Sequence, residues 1–305
     1  RGLGGVPGKD QAVVMAGNHQ MFGLDGVTIV EEFIREREQL VKALVYPVLL
    51  EEESPLAPLP YPLPGTPEML KRFGALPAGG MNMLRLLKKG SSVLIFPGGA
   101  REVFKRKNEA YTLQWPRTPE LVRLAASVNA TIVPFAAVGG DEFFSDPVLD
   151  TDDLLGLPFI GSWLQERTGK LPSLVKGDSF VPPIVVPRPE GPRRHYFLFL
   201  EPIDTTDLDP KDVRGCNEVY SQLRTAVEDG LTYLQDARES DPNEAAVPRV
   251  AVERVTGRQQ PSFDFDSASR RMVKSSWVPR PEDEVCVLVA DDMPPLCVES
   301  QKRWD

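Results

Sequence analysis

Three short apolar runs, each followed by a turn that contains glycine, constrain the fold of this chain more than any other feature. They span residues 12–16, 92–96 and 131–138. Continuous apolar runs of this length are typical of strands that are buried on both faces of a sheet. Residues 24–34 and 119–128, which lie between these runs, have the apolar spacing of helices. Strands that alternate with helices predict an α/β fold, with a central and mostly parallel sheet flanked by helices.

Three later segments extend this pattern. Residues 195–200 indicate a further strand at an edge of the sheet. Residues 154–164 are uncharged and end in Trp-Leu, which fits either a segment that enters a lipid interface or an ordinary buried helix. The clearest helix is marked by apolar residues spaced three and four apart: Val213, Cys216, Tyr220, Leu223, Val227, Leu231 and Leu234.

Composition limits the possible classes of function. Of the 305 residues, 41% are apolar, which is enough to bury a substantial core. The net charge of -9 and the pI near 5.0 argue against a nucleic-acid-binding protein, whose surface would be basic. Cys216, Cys286 and Cys297 have neither the spacing of a zinc site nor that of a disulfide framework, so they fit a reducing compartment.

The chain divides into three parts by composition. Residues 1–11, which are rich in glycine, are expected to form a linker, and residues 12–261 a folded domain. Residues 262–305 are acidic, contain prolines and lack periodicity, so they are expected to be disordered. Because the chain opens with Arg1 and without a signal-peptide pattern, we expect it to be part of a longer precursor whose targeting segment it does not include.

His19 is the strongest candidate for a general base, since the chain contains only two histidines. It follows the first apolar run directly after Gly17-Asn18, and the carboxyl end of a buried strand is where an open α/β sheet meets its ligand. Asp25 stands where the next helical pattern begins. A histidine beside a strand is also often a hydrogen-bonded structural residue, and these two residues alone leave both interpretations open.

A second turn, Phe96-Pro97-Gly98-Gly99-Ala100-Arg101-Glu102, also follows a buried strand. Its glycines allow the backbone to approach a ligand and to present N–H groups. The guanidinium of Arg101 suits a phosphate or a carboxylate. The alternative is a plain strand-to-loop turn in which Arg101 pairs with Glu102 at the surface. The basic residues 105–107 and 193–194 could contact anionic lipid headgroups, but they are expected to lie at the solvated surface.

Taken together, the two turns resemble the motifs of the glycerolipid acyltransferase superfamily. Asn18-His19 with Asp25 is similar to its His/Asp motif, and residues 96–102 resemble its Phe-Pro-Glu-Gly-Thr-Arg block in a Gly-Gly-Ala-Arg-Glu variant. Residues 73–77 and 132–135 match two further blocks of the superfamily. The resemblance narrows to the plastid phytyl ester synthase/diacylglycerol acyltransferase subfamily through blocks at residues 111–116, 130–139 and 238–242.

The sequence departs from the superfamily pattern in three ways. Five residues, not four, separate His19 from Asp25, which moves the carboxylate relative to the imidazole. Gly98 replaces the glutamate of the third block, and the arginine of the second block is missing from residues 74–82. The loss of these polar groups argues for a neutral lipid alcohol as acceptor. Members of the subfamily also carry a hydrolase-like domain before this region, which this sequence lacks.

The resemblance implies an O-acyltransferase that moves a fatty acyl group from acyl-CoA or acyl-carrier protein to phytol or diacylglycerol, with no bound cofactor or metal. His19 would act as the base and Asp25 would orient it, while Gly98 and Gly99 would hold the oxyanion and Arg101 and Glu102 would contact the donor. The implied pocket residues are Asn18, Phe22, Phe96, Pro97, Gly74 and Pro134.

The implied partners are these lipids and a membrane or lipid-droplet surface, with no nucleic acid. The implied location is the plastid, at the chloroplast plastoglobule or thylakoid surface. The alternatives are a thioesterase or lipid esterase and an inactive lipid-binding scaffold. A serine hydrolase is disfavoured because no Gly-x-Ser-x-Gly sequence occurs.

Overall fold

The computed structural model describes residues 3–8, 11–23, 25–54, 63–168, 181–191, 193–258 and 260–263. Within them, a six-stranded sheet has the order β3-β2-β4-β1-β5-β6. All neighbouring strands are parallel except β5 and β6, so the predicted α/β class and the edge strand are confirmed. The strands are β1 (Val13–Gly17), β2 (Lys42–Val45), β3 (Leu76–Pro77), β4 (Ser92–Ile95), β5 (Thr131–Val138) and β6 (Tyr196–Phe199).

Helices cover both faces of the sheet. Among the described helices, none combines the length and the apolar composition needed to cross a bilayer. The helix α9 was not predicted, because few of its side chains are buried. The helices are α1 (Asp25–Arg37), α2 (Thr66–Arg72), α3 (Gly80–Leu87), α4 (Gly99–Val103), α5 (Glu120–Ala126), α6 (Thr151–Gly156), α7 (Ile160–Thr168), α8 (Val213–Arg238) and α9 (Ala246–Thr256).

The central strand β5 shows why its sequence is continuously apolar. Phe135 points to the face that α1 covers, where Phe33 lies in the same cluster. Ile132 and Ala136 point to the opposite face, which is covered by α3, α5 and α8. Successive side chains of a strand alternate between faces, so a strand covered on both sides has no position for a polar residue. The same cluster contains the buried stripe of α8, which confirms the helix predicted there.

The ends of the folded part differ from the prediction. Residues 1–11 were expected to form a linker, but Leu3 and Val6 are buried in the core and Arg37 donates a hydrogen bond to the Leu3 carbonyl. The tail was expected to be disordered from residue 262, but Phe263 is buried against Tyr196. Apolar side chains at these positions find core contacts that their local sequence does not reveal. The rest of the predicted tail lies outside the described residues.

The path of the chain opens a crevice beside β1. After β1 the chain passes to α1 on one face, whereas after the adjacent strand β4 it passes through α4 to α5 on the other face. Neighbouring parallel strands whose connections leave to opposite faces form a topological switch point, where α/β sheets bind ligands. His19 follows β1 and Phe96 follows β4, so both residues lie at this crevice.

Candidate active site

His19 and Asp25 form a hydrogen-bonded pair at the crevice. The Nδ1 atom of His19 lies 2.8 Å from Oδ1 of Asp25, whose side chain is fully buried, while the His19 side chain is 14% exposed. The other oxygen of Asp25 accepts the N–H of Gln20 at 2.9 Å. A carboxylate only accepts hydrogen bonds, so the proton of the neutral imidazole lies on Nδ1. This tautomer leaves the lone pair on Nε2, which has no hydrogen-bond partner among the described residues.

The extra residue between His19 and Asp25 is absorbed by a left-handed turn. Phe22 and Gly23 have φ values of 60° and 72°, and the N–H of Gly23 donates to the Gln20 carbonyl at 3.0 Å. A left-handed pair shortens the path of the chain, so Asp25 still reaches the imidazole. The two residues that the sequence analysis paired are therefore brought together by the structure.

Two neighbours fix the imidazole of His19 and keep its Nε2 edge clear. The ring stacks on Phe96, with 3.7 Å between centroids and 7° between planes. Phe96 in turn meets the edge of Phe135 in the core. On the other side, a Cβ atom added to Gly23 would lie only 3.3 Å from Nε2. Glycine at this position therefore leaves space beside the atom that would take a proton.

The turn after β4 directs Glu102 into the protein. The buried carboxylate accepts the N–H of His19 at 2.8 Å with Oε2 and the N–H of Gln114 at 3.0 Å with Oε1. A Cβ atom on Gly98 would lie 2.3 Å from Cδ of Glu102, so glycine is required there by the carboxyl group. Burial raises the pKa of Glu102, and the nearby Lys105 and the two N–H donors oppose this effect.

Arg101 and Gly99 are engaged within the protein. Arg101 forms a two-pronged ion pair with Glu109, in which Nη1 lies 2.6 Å from Oε2, so the proposed pairing with Glu102 is wrong. The N–H of Gly99 donates to the Phe96 carbonyl at 3.0 Å. Each of these groups would have to give up its partner to bind an acyl donor or an oxyanion.

Lys105 and Asp141 contribute to the site although the sequence analysis did not select them. Lys105 was expected at the surface, but it is only 2% exposed. Its ammonium donates to the His19 carbonyl at 2.6 Å and to the Glu102 carbonyl at 3.0 Å, and it lies 3.3 Å from Asp141. Asp141 also accepts the N–H of Met21 at 2.7 Å. Asp141 comes directly after the two glycines that follow β5. This position at the carboxyl end of a strand could have identified it as a candidate site residue.

Arg194 is the second basic residue that the prediction misplaced. It was expected at the surface, but it is buried and lies 3.4 Å from the carboxylate of Asp241. It also donates to the carbonyls of Gln260 and Pro261, at 2.8 and 3.0 Å. These partners come from distant parts of the chain, so the adjacent pair of arginines in the sequence does not reveal them.

The remaining predicted pocket residues are divided between the site and the scaffold. Asn18 is buried, and both ends of its amide bond the backbone of Ala137, which ties β1 to β5. Phe22 meets Phe144 edge to face near the site, and Pro97 is buried beside Phe96.

Two predicted pocket residues lie away from His19. Gly74 precedes β3 and lies against Lys42, at the amino end of β2. Pro134 lies within β5 opposite Ala16, and its side chain faces away from the side where Phe135 meets Phe96. Residues of the predicted sequence blocks therefore serve the sheet as well as the crevice.

A small pocket of about 240 Å³, which includes space open to solvent, adjoins the pair. Within the described part of the chain, Nδ1 of His195 and Nε2 of Gln20 are buried there without a hydrogen-bond partner. Burial lowers the pKa of His195. His195 was not predicted as a site residue because the sequence places it in an edge strand. The lining residues are Gln20, Met21, Asp25, Gly140, Phe143, Phe144 and His195.

Comparison with known proteins finds relatives of the kind that the motifs at this site predict. The chain is 36% identical over 275 residues to phytyl ester synthase 1, chloroplastic, of Arabidopsis thaliana, and 31% identical over 279 residues to phytyl ester synthase 2, chloroplastic, of the same organism. Each alignment covers 87% of this chain and 38% of the relative. Over this region, the chain is similar in sequence to both phytyl ester synthases. The resemblance of its motifs to phytyl ester synthases is thereby confirmed.

The chain spans about 38% of the length of these phytyl ester synthases. No family model matches it. Among solved structures, the 1-acyl-sn-glycerophosphate acyltransferase PlsC of Thermotoga maritima aligns with a TM-score of 0.40 and 15% identity, over 77% of this chain and 70% of that one.

Proposed function

We propose that this chain carries the acyl-transfer site of an enzyme that joins a fatty acyl group to a neutral lipid alcohol, with phytol as the first candidate. The observation that supports this most is the His19–Asp25 pair at the switch point, with an unoccupied lone pair on Nε2 beside Gly23. Both relatives are named phytyl ester synthases, which suggests the class of product. Since the chain spans only part of those proteins, activity of this chain by itself is part of the proposal.

In the proposed reaction, Nε2 of His19 takes the proton of the acceptor hydroxyl. The alcohol oxygen then attacks the carbonyl carbon of an acyl thioester and forms a tetrahedral intermediate. The thiolate leaves and recovers the proton from the imidazolium, so the protein returns to its starting state. Asp25 accepts from Nδ1 throughout and stabilises the imidazolium. General base catalysis of this kind contributes roughly 10²- to 10⁴-fold to a rate.

Backbone N–H groups after β4 are the proposed donors to the oxyanion. The N–H of Gly99 is already bonded to the Phe96 carbonyl, which leaves that of Gly98 as the first candidate. Such donors act at the atom where negative charge develops. The acyl donor, acyl-CoA or acyl-carrier protein, is a co-substrate and no bound cofactor is proposed. The described residues contain no group of three His, Cys, Asp or Glu side chains arranged to hold a metal ion.

The experiment uses the purified chain and His19→Ala. Each is given acyl-CoA or acyl-carrier protein with phytol or diacylglycerol in micelles, and the products are followed by mass spectrometry. We expect ester from the wild type and a loss of about 10³-fold in the variant, whose fold is checked by circular dichroism. Free fatty acid formed regardless of the alcohol would identify a thioesterase. Lipid binding without any turnover would contradict an acyl-transfer site in this chain.

Plastid location and contact with a lipid surface also belong to the proposal. Both relatives are named chloroplastic.

Between α6 and α7, Phe159 is 91% exposed, and an aromatic ring in such a position suits a membrane interface. We expect Phe159→Ser to reduce co-sedimentation with phosphatidylcholine vesicles several-fold. The control is Val255→Ser, since Val255 is 87% exposed on α9 and is not part of the proposed surface. Equal loss in both variants would contradict the role of Phe159.

A further inference from the structure

Three consecutive backbone N–H groups of the His19 turn each bond a different buried carboxylate. The N–H of His19 donates to Glu102 at 2.8 Å, that of Gln20 to Asp25 at 2.9 Å, and that of Met21 to Asp141 at 2.7 Å. These carboxylates come from three separate parts of the chain, which are α4, the first residue of α1 and the turn after β5. Charged acceptors form stronger hydrogen bonds than neutral ones, so the turn is held firmly from three sides.

Lys105 completes this arrangement from the carbonyl side. Its ammonium has three hydrogens and three oxygen neighbours, which are the carbonyls of His19 and Glu102 and the carboxylate of Asp141. Both backbone groups of His19 are therefore held by residues 102 and 105 of one segment. The positive charge lies among carboxylates that are buried, where an unpaired charge is strongly unfavourable.

The polar atoms of these side chains are fully engaged within the protein. Glu102 uses one oxygen for His19 and the other for Gln114. Asp141 uses one oxygen for Met21 and the other for the N–H of Tyr111, at 2.9 Å. Side chains that are buried and bonded to the backbone in this way are held away from a substrate. Their effect on a reaction must pass through the turn that they hold.

We propose that Lys105, together with Glu102 and Asp141, is a positioning device that fixes the backbone of His19 so that the imidazole stays stacked on Phe96 with Nε2 facing the crevice. The expected effect on kcat rests on the proposed acyl transfer. The expected effect on the orientation and tautomer of the His19 ring does not depend on it.

The first test compares Lys105→Met with Lys107→Met. Methionine keeps most of the length of the lysine stem and removes the charge. We expect kcat to fall 10- to 100-fold in Lys105→Met, with the KM for the acyl donor changed less than threefold. The control Lys107 is exposed and pairs with Asp153 at the surface, so its variant should match the wild type. If Lys105→Met does not fold, Asp141→Asn removes a charge from the same group while keeping one acceptor, and the same kinetic pattern is expected.

The second test separates positioning from general destabilisation. Lys105→Met is added to His19→Ala, and the residual rate of the double variant is compared with that of His19→Ala. A residue that acts through His19 has nothing further to lose, so the two rates should agree within twofold. A further loss of 10-fold or more in the double variant would show that Lys105 acts by another route and would overturn the proposal.

The third test does not depend on activity. The chain contains only two histidines, so the ring ¹⁵N signals of His19 are assigned by comparison with His19→Ala. In the wild type and in Lys107→Met we expect a single tautomer with the proton on Nδ1, and in Lys105→Met a mixture of tautomers. Unchanged ring signals in Lys105→Met would overturn the positioning role. Absence of ester synthesis in the wild type, with the ring signals changed as expected, would reject the proposed function and leave positioning supported.

Discussion

The turns after β1 and β4 have similar sequences and opposite roles. Each consists of a buried strand, glycine and then polar residues, and the sequence suggests that both face a ligand. The turn after β1 presents Nε2 of His19 at the crevice. The turn after β4 instead sends Glu102 inward and engages Arg101 with Glu109. The first turn therefore carries the proposed reactive atom, and the second turn binds the backbone of the first.

The difference arises from where the next helix begins. After β4, α4 starts at Gly99, almost directly after the strand, and its short turn packs residues 100–103 against the protein. After β1, α1 starts only at Asp25, so the chain between them has room to project a side chain. A glycine-containing turn can either project a side chain into the crevice or pack it into the protein. The distance from the strand to the next helix determines which of the two occurs.

Among substitutions that compare the two turns, the largest effect is expected at Gly23, where the first turn leaves space beside Nε2 of His19. Gly23→Ala adds a Cβ that would lie 3.3 Å from this atom, at a φ of 72° that disfavours alanine. We expect ester formation to fall about 100-fold, as is typical when a reacting group is displaced by about 1 Å. Gly26→Ala is the control, because its Cβ would make only ordinary contacts with Phe96. Near-normal turnover in Gly23→Ala would show that the acceptor approaches from elsewhere.

The second effect concerns the supporting turn. Gly98→Ala places a Cβ 2.3 Å from Cδ of Glu102, so the carboxyl group must move away from the His19 N–H. We expect the free energy of unfolding, measured in urea, to fall by about 1–3 kcal/mol, as for other overpacked sites. Gly26→Ala again serves as the control, and it should be neutral or slightly stabilising. If the free energy of unfolding of Gly98→Ala equals that of the wild type, the Glu102 carboxyl group does not require glycine at position 98.

The pKa of Glu32 shows the effect of burying a carboxyl group that accepts no backbone N–H. Asp25, on the same helix, accepts N–H groups, whereas Oε1 of Glu32 is buried without a partner in the described part of the chain, and its other oxygen bonds Arg35. Burial raises the pKa of Glu32 from 4.5 to about 7, against the opposing effect of Arg35. The folded state therefore favours the protonated acid, and this contribution to stability is complete below pH 4.5 and is lost as the pH rises through about 7.

The corresponding variant is Glu32→Gln, which cannot ionise. The rise in the pKa of Glu32 from 4.5 to about 7 corresponds to at most about 3.4 kcal/mol, so above pH 7 the free energy of unfolding of Glu32→Gln should exceed that of the wild type by up to that amount. The measurement is urea unfolding at pH 5 and pH 8. A difference between the two proteins that is the same at both pH values would contradict the raised pKa.

The smallest expected effect is at Arg101, because its guanidinium is already paired with Glu109. We expect Arg101→Gln to change the KM for acyl-CoA less than about twofold, since an occupied, partly buried pair contributes little to binding another anion. This variant tests whether the turn after β4, like the turn after β1, contacts the substrate. A KM increase of 10-fold or more would show that the second turn also contacts substrate, as the sequence resemblance implies.

The elements that depend on local pattern were predicted correctly from the sequence. Strands such as β5 are visible because burial on both faces demands an uninterrupted apolar run. The helix α8 is visible because a single apolar stripe repeats along it. His19 and Asp25 were selected because one ends a strand and the other begins a helix, and those positions converge in any sheet of this class.

The tertiary structure decided which polar residues support His19. Lys105 has the sequence context of a surface lysine, and it is buried only because His19 and Asp141, which are far from it in the sequence, supply its partners. Glu102 is an acceptor of backbone N–H groups for the same reason. The sheet, the resemblance to phytyl ester synthases and the candidate pair His19–Asp25 could be predicted from the sequence alone, since these follow from local periodicity and motif. The burial and pairing of charges depend on long-range contacts, so only the folded chain determines them.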